Sequence, residues 1–278
     1  MPEAVSVTLP SGVRAVVRPL CGGDEEFLLA AATASAPQRD SALLACCLVG
    51  THEGSPEPWP VRLQTVREMS VGDRDALLLW VRRITFGDEI QCTVVCPGPE
   101  CGQKLDFSLS VDELLAPREE SSKVFESHVS SAGTEHRVRY RPVNGADLEF
   151  VAAAVPGDEP ASAMLARRCL IAINGEPVGH IPESLLSSLS RLLLDADPHA
   201  ELRLQFRCPE CDLGFESIFD VGAFLGTELS DVRRLYREVH VLAFHYHWSE
   251  RDILALTPRR RRLYLDLLSE QLRGENIV

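Results

Sequence analysis

The sequence predicts an α+β protein made as a tandem duplication of one hairpin–helices–knuckle unit, with a helical tail behind it. Repeated segments carry that reading. Val17-Arg18-Pro19-Leu20-Cys21-Gly22-Gly23-Asp24-Glu25-Glu26-Phe27-Leu28 returns as Tyr140-Arg141-Pro142-Val143-Asn144-Gly145-Ala146-Asp147-Leu148-Glu149-Phe150-Val151. Ser41-Ala42-Leu43-Leu44-Ala45 returns as Ser162-Ala163-Met164-Leu165-Ala166, with a cysteine soon after each. Cys96-Pro97-Gly98-Pro99-Glu100-Cys101 returns as Cys208-Pro209-Glu210-Cys211, and Val111–Leu115 as Val221–Leu225. Two short apolar segments often resemble each other by chance, but four in the same order point to an internal repeat. The halves are expected at 1–116 and 124–226. Polar residues 117–123 read as a linker, and 227–278 as a tail without counterpart.

Within the first half, Val5–Leu9 and Val13–Val17 alternate around Pro10-Ser11-Gly12, the pattern of a β-hairpin. Helices are expected at about 24–34, 39–49 and 71–85. Ser70 suits the N-cap of the last, with Asp73 three residues on. Strands at about 89–96 and 103–109 flank the first cysteine pair. The second half repeats the scheme, with helices near 145–154, 161–172 and 182–194 and strands near 200–208 and 213–219. In the tail, Val232, Leu235, Tyr236, Val239, Leu242 and Ala243 fall at helical spacing. Tail helices are expected near 230–247, 249–255 and 258–273, with Ser249 and Thr257-Pro258 as start signals and Gly274 as a stop.

Each cysteine pair opens with Cys-Pro at the turn of an expected hairpin. That is the zinc-knuckle arrangement, in which backbone N–H groups aim at thiolate sulfurs. One knuckle supplies two ligands, whereas structural zinc takes four. The sequence therefore predicts one structural Zn2+ per chain, shared by Cys96, Cys101, Cys208 and Cys211. The bridge closes a loop of about 110 residues, worth roughly 4 kcal/mol by analogy with a cross-link. Cys92 stands four residues before Cys96 and is an alternative ligand. Cys21, Cys46, Cys47 and Cys169 lack ligand spacing and read as small core residues. His240, His245 and His247 share no helical face and read as ordinary packing or surface residues.

Composition excludes several classes. With 45% hydrophobic and 25% charged residues the chain is globular, not low-complexity. The net charge of -13 opposes general nucleic-acid binding. Only two of the 28 basic residues are lysines (Lys104 and Lys123), which fits GC-rich bacterial coding. The N-terminus lacks a signal-peptide core, and apolar runs such as Leu43–Val49 and Ala76–Val81 are too short to span a membrane. A cytoplasmic location follows, in which nine cysteines favour metal binding over disulfides.

Leu9-Pro10-Ser11-Gly12, Val17-Arg18-Pro19-Leu20, the two knuckles, and Tyr246-His247-Trp248-Ser249-Glu250 through Arg259–Arg262 and Tyr264 together resemble a known family. It is the baseplate hub assembly-chaperone family of T-even-type contractile-tail phages and extracellular contractile injection systems. The resemblance implies a non-catalytic role in building or forming a baseplate, through contacts with baseplate or hub proteins and with incorporation into the particle as one outcome. It transfers no catalytic residue. No phosphate loop, nucleophile elbow or zinc-protease motif is present, and no small-molecule substrate is expected. Nothing places a histidine and a carboxylate beside Cys21, the one cysteine weighed as a nucleophile. Aromatics and arginines dominate binding hot spots, so Tyr236, Phe244, Trp248, Arg259, Arg260 and Tyr264 are the candidate partner contacts. The alternative is a zinc-containing nucleic-acid-binding regulator with a helix-turn-helix-like tail, against which the charge balance stands.

Overall fold

The computed structural model describes residues 4–31, 33–51, 58–115, 124–131, 133–154, 160–178, 181, 183–229 and 232–275. The expected linker at 117–123 lies outside them. The architecture is mixed α and β. In the first half, β1 (Val5–Thr8) and β2 (Arg14–Val17) form an antiparallel hairpin that buries Val7, Ala15 and Val17. Its turn uses Gly12 at φ +79°, where a side chain is strained. Then come α1 (Gly22–Ala30), α2 (Ala36–Cys47), β3 (Leu48–Gly50), α3 (Trp59–Glu68), α4 (Val71–Phe86), β4 (Glu89–Val95), β5 (Lys104–Ser110) and α5 (Val111–Leu114). The second half runs β6 (Phe125–Ser131), β7 (Thr134–Tyr140), α6 (Gly145–Ala153), α7 (Ala161–Cys169), β8 (Leu170–Ile173), β9 (Glu176–Pro177), α8 (Glu183–Ala196), β10 (Arg203–Arg207), β11 (Gly214–Ile218) and α9 (Val221–Leu229). The tail is α10 (Val232–Tyr246), α11 (Glu250–Leu254) and α12 (Pro258–Glu275).

Several boundaries differ from expectation for identifiable reasons. The helix expected to 49 stops at Cys47, and the one expected to 172 stops at Cys169. In each case the aliphatic residues that follow leave the helix and pair with the preceding hairpin, giving sheet orders β1-β2-β3 and β6-β7-β8-β9. Helix α3 was not expected, because its prolines and low apolar content hide the period. Its start, Pro58-Trp59-Pro60, places Pro in the first turn, where the missing N–H costs nothing. The short helices α5 and α9 also escaped notice. Gly274 does not stop the tail, since α12 runs through it to Glu275. The start signals hold: Ser70 Oγ accepts from the Asp73 N–H at 3.3 Å, and Ser249 Oγ from the Asp252 N–H at 3.2 Å.

The two halves share a set of internal contacts. The Arg18 N–H donates to the Cys47 carbonyl at 2.9 Å, and the Arg141 N–H to the Cys169 carbonyl at 3.0 Å. Both arginines fork onto an aspartate six residues on, Asp24 or Asp147. In both sheets a register shift falls at the same place, between Val16 and Val17 and between Arg139 and Tyr140. The fork ties the hairpin to the first turn of the helix after it, where a carboxylate also suits the helix dipole.

Burial is not divided cleanly between the halves. One core joins the first hairpin, α2 and α4 to Leu202, Val221, Leu225 and Leu229 of the second half. A second core lies between α7, α8 and the β6–β7 hairpin. Arg82 of α4, itself buried, pairs with Glu228 of α9 at 3.2 Å. At the junction the Val71 N–H donates to the Val143 carbonyl and the Gly145 N–H to the Met69 carbonyl.

Asp147 is fully buried between Arg141 and Arg168. Burial alone raises the Asp24 and Asp147 pKa values, but the arginine hydrogen bonds reverse this and hold both below the usual carboxylate range. A depressed native pKa gives stability that is present above the unfolded value and lost as pH falls. Stability should therefore decline on acidification below about pH 4. Asp147→Asn is expected to cost about 2–3 kcal/mol at pH 7 and to flatten that acid slope, as read by urea unfolding from pH 3 to 7.

Candidate metal centre

The hairpins β4–β5 and β10–β11 are separate two-stranded sheets, paired from Glu89↔Ser110 to Val95↔Lys104 and from Arg203↔Ile218 to Arg207↔Gly214. An isolated two-stranded hairpin is marginal in water. Here the two support each other through an aromatic seam. The Phe107 ring meets Phe206 edge-on with centroids 4.8 Å apart, and Phe206 stacks on Phe215 at 5.5 Å. The rings of paired Phe206 and Phe215 share one face of their hairpin and meet Phe107 of the other, and the two turns lie together where the sulfurs meet.

Each turn is built in the same way. The Cys96 N–H bonds the Gln103 carbonyl at 2.8 Å, and the Cys208 N–H bonds the Leu213 carbonyl at 3.0 Å. The residue after each second cysteine is left-handed: Gly102 at φ +59° and Asp212 at φ +60°. Earlier in the first turn the Gly98 N–H faces Cys96 Sγ at 3.5 Å. Gly98 is itself hemmed in. A Cβ there meets the Cys101 Cβ at 3.2 Å and the Cys211 Sγ at 3.5 Å.

The four sulfurs converge. Cys96 Sγ lies 3.6 Å from Cys211 Sγ, Cys101 Sγ lies 3.6 Å from Cys208 Sγ, and all four fall within 4.8 Å of one another. Each of these 3.6 Å pairs takes one cysteine from each half. Ligands at about 2.3 Å around a tetrahedral ion stand about 3.8 Å apart, so the spacing fits a thiolate-bound metal. The donor chemistry agrees. Backbone donation, first from the Cys211 N–H and then from the Glu210 N–H, draws the Cys208 thiol down to about 7. Cys96 is at about 12: the Gly98 N–H favours its thiolate, but desolvation and the other three cysteines outweigh it. Four sulfurs at this spacing are a donor set that could hold one metal ion. Four sulfur ligands leave no open coordination position for a reacting water.

The other candidates lie elsewhere. Cys92 stands opposite Phe107 on the sheet and packs against the first core, outside the sulfur cluster. Cys46, Cys47 and Cys169 are buried core residues, and Cys21 precedes α1, its N–H bonded to Asp24. Among the described residues no histidine belongs to a metal-type cluster. In the tail, Phe244, Arg259 and Arg260 are exposed, and Tyr236, also exposed, donates to Glu26 at 2.7 Å. Trp248 and Tyr264 pack with Tyr246 inside the tail. Sequence reasoning missed Arg261, which is fully buried within the arginine run. Its signal was the spacing Arg261, Tyr264, Leu265 and Leu268, a single face of α12.

The left-handed positions give a test that leaves every sulfur in place. Gly102→Val should destabilise by about 1–2 kcal/mol, because a β-branched residue there is strained. Asp212→Gly should be neutral or stabilising by up to about 1 kcal/mol. Thermal and urea unfolding of the two variants read the difference.

No curated protein and no solved structure matches the chain. The family model described as T4 bacteriophage base plate protein matches residues 1–170. That stretch holds the whole first half with its knuckle, and the second half as far as the start of β8. No described helix is long and apolar enough to cross a membrane. More than half of the sequence thus follows one family pattern, and the chain belongs to the T4 bacteriophage base plate protein family.

Proposed function

We propose that this chain is a non-catalytic assembly or structural protein of a contractile-tail or injection-system baseplate, fastened internally by one structural zinc ion. The observation that carries the zinc reading is the pairing of sulfurs across the halves, Cys96 with Cys211 and Cys101 with Cys208, each at 3.6 Å. Cys96, Cys101, Cys208 and Cys211 are the ligands. In this reading 1–116 and 124–226 are duplicated units joined by a linker at 117–123, with 227–278 behind them. The shared Arg–Asp forks and the matched register shifts support the duplication. The family match supports the baseplate role.

Partners are baseplate or hub proteins, met through the exposed part of the tail. Phe244 is 68% exposed and Leu263 57% exposed, beside the solvated Arg259 and Arg260. Such a mixture of large apolar groups and arginine suits a protein surface. Arg261 turns inward onto Glu25 and Glu238, which removes it from any nucleic-acid contact.

The test is isolation of the tagged chain from cells that express the complete particle. The expected sample holds one zinc per chain by elemental analysis, together with other baseplate proteins. Combining Phe244→Asp with Arg259→Glu and Arg260→Glu should keep the zinc and lose the partners. Two zinc ions or none would overturn the shared site. Partners retained by the triple variant would remove the tail from the contact.

A further inference from the structure

The tail has no obvious counterpart in sequence, but its contacts have one. We infer that α10–α11–α12 is a third copy of the helical unit α2–α3–α4, and that it caps α1 as that unit caps α6. The inference goes beyond the baseplate role and does not depend on the metal.

The two capped helices are the matched segments that begin at Gly22 and Gly145. Each receives its cap through the same backbone bond. The Gly145 N–H donates to Met69, the residue before N-cap Ser70, at 3.2 Å. The Gly22 N–H donates to Leu256, the residue before N-cap Thr257, at 3.1 Å. The caps themselves agree: Ser70 Oγ accepts from the Asp73 N–H at 3.3 Å, and Thr257 Oγ1 from the Arg260 N–H at 3.3 Å.

Four residues beyond each N-cap stands a buried arginine, Arg74 at 3% exposure and Arg261 at 0%. Each lies over its glycine, so closely that a Cβ on Gly145 meets Arg74 and one on Gly22 meets Arg261 Nη1 at 2.9 Å. A side chain at either position would have to displace the guanidinium. The flanking helices correspond as well. α2 and α3 pack on α6, while α10 and α11 pack on α1. Ser41 of α2 donates to Glu149 at 2.6 Å, and Tyr236 of α10 donates to Glu26, the matching glutamate, at 2.7 Å. One difference follows from covalent chemistry. The Val71 N–H donates to Val143, but Pro258 holds the matching position and has no N–H.

Stacked units bury their faces against neighbours, and the end of a stack needs a cap. In the second half α2 and α3 cover α6, and the matching helix of the first half, α1, is covered by α10 and α11. The surface at Gly22 and Glu25 is thus a socket for a helix–turn–helix that carries arginine four residues past its N-cap. α10–α11–α12 fill that socket.

Native-state hydrogen exchange on the full chain reads each socket through its glycine amide. Arg261→Leu should speed exchange at Gly22 on the order of a hundredfold and leave Gly145 near its native rate. Exchanging Leu256–Arg261 for the sequence of Met69–Arg74 should keep Gly22 within about tenfold of native. Pro258→Val supplies a direct check: the amide gained at position 258 should be protected, as the Val71 amide is. Fast exchange at that amide, unaltered Gly22 exchange in Arg261→Leu, or loss of Gly22 protection in the exchanged chain would each overturn the equivalence.

Discussion

Four sulfurs from two hairpins, separated by 107 and 115 residues within their close pairs, have to meet at one point. Much of the remaining structure serves that requirement. The hairpins alone are too small to be stable, and the Phe107–Phe206–Phe215 seam aligns them so that both turns end together. The sulfurs that meet there lie within 4.8 Å of one another, a spacing that could hold a metal ion. In the chain-entropy account, closing a loop of this length adds about 4–5 kcal/mol, a sizeable share of a typical domain's stability.

Buried charge does the corresponding work away from the sulfurs. The Arg18–Asp24 and Arg141–Asp147 forks fix each hairpin to its helix, and Arg74 and Arg261 sit over glycines where a Cβ would meet the guanidinium. Such groups are costly to bury, and they specify one arrangement because any other leaves a charge without its partner. Arg261 meets both Glu25 and Glu238, so the tail is tied into the first half. An arm that only waits for a partner has no need of such a pair. The exposed aromatic and leucine residues of α10 and α12 remain outside this lock, where a baseplate protein can reach them.

Much of this was legible in the sequence, and the gaps have physical causes. Cys-Pro turns announce both the hairpins and the four cysteines that come together, because the turn chemistry is local. The first cap, Ser70, and the periods of α4 and α10 were also local signals. The ends of α2 and α7 were not. Leu48–Gly50 and Leu170–Ile173 are aliphatic in either state, and only the waiting edge of a hairpin makes them strands. Helix α3 was hidden by its prolines. Arg261 went unremarked because a run of four arginines looks like surface, and its partner Glu25 lies 236 residues away. The tail's likeness to α2–α3–α4 rests on a backbone bond, a cap and one arginine, too little identity for a sequence match.

The central claim is that one metal site couples the two halves, and Cys208→Ser tests it most directly. The change leaves three thiolates, so a bound ion should be held far less tightly. Hydrogen exchange followed along the whole chain should then rise not only at 203–218 but also at Cys96–Cys101, which the substitution does not touch. A rise confined to 203–218, with the first knuckle as protected as before, would show that each hairpin stands alone and would contradict the account.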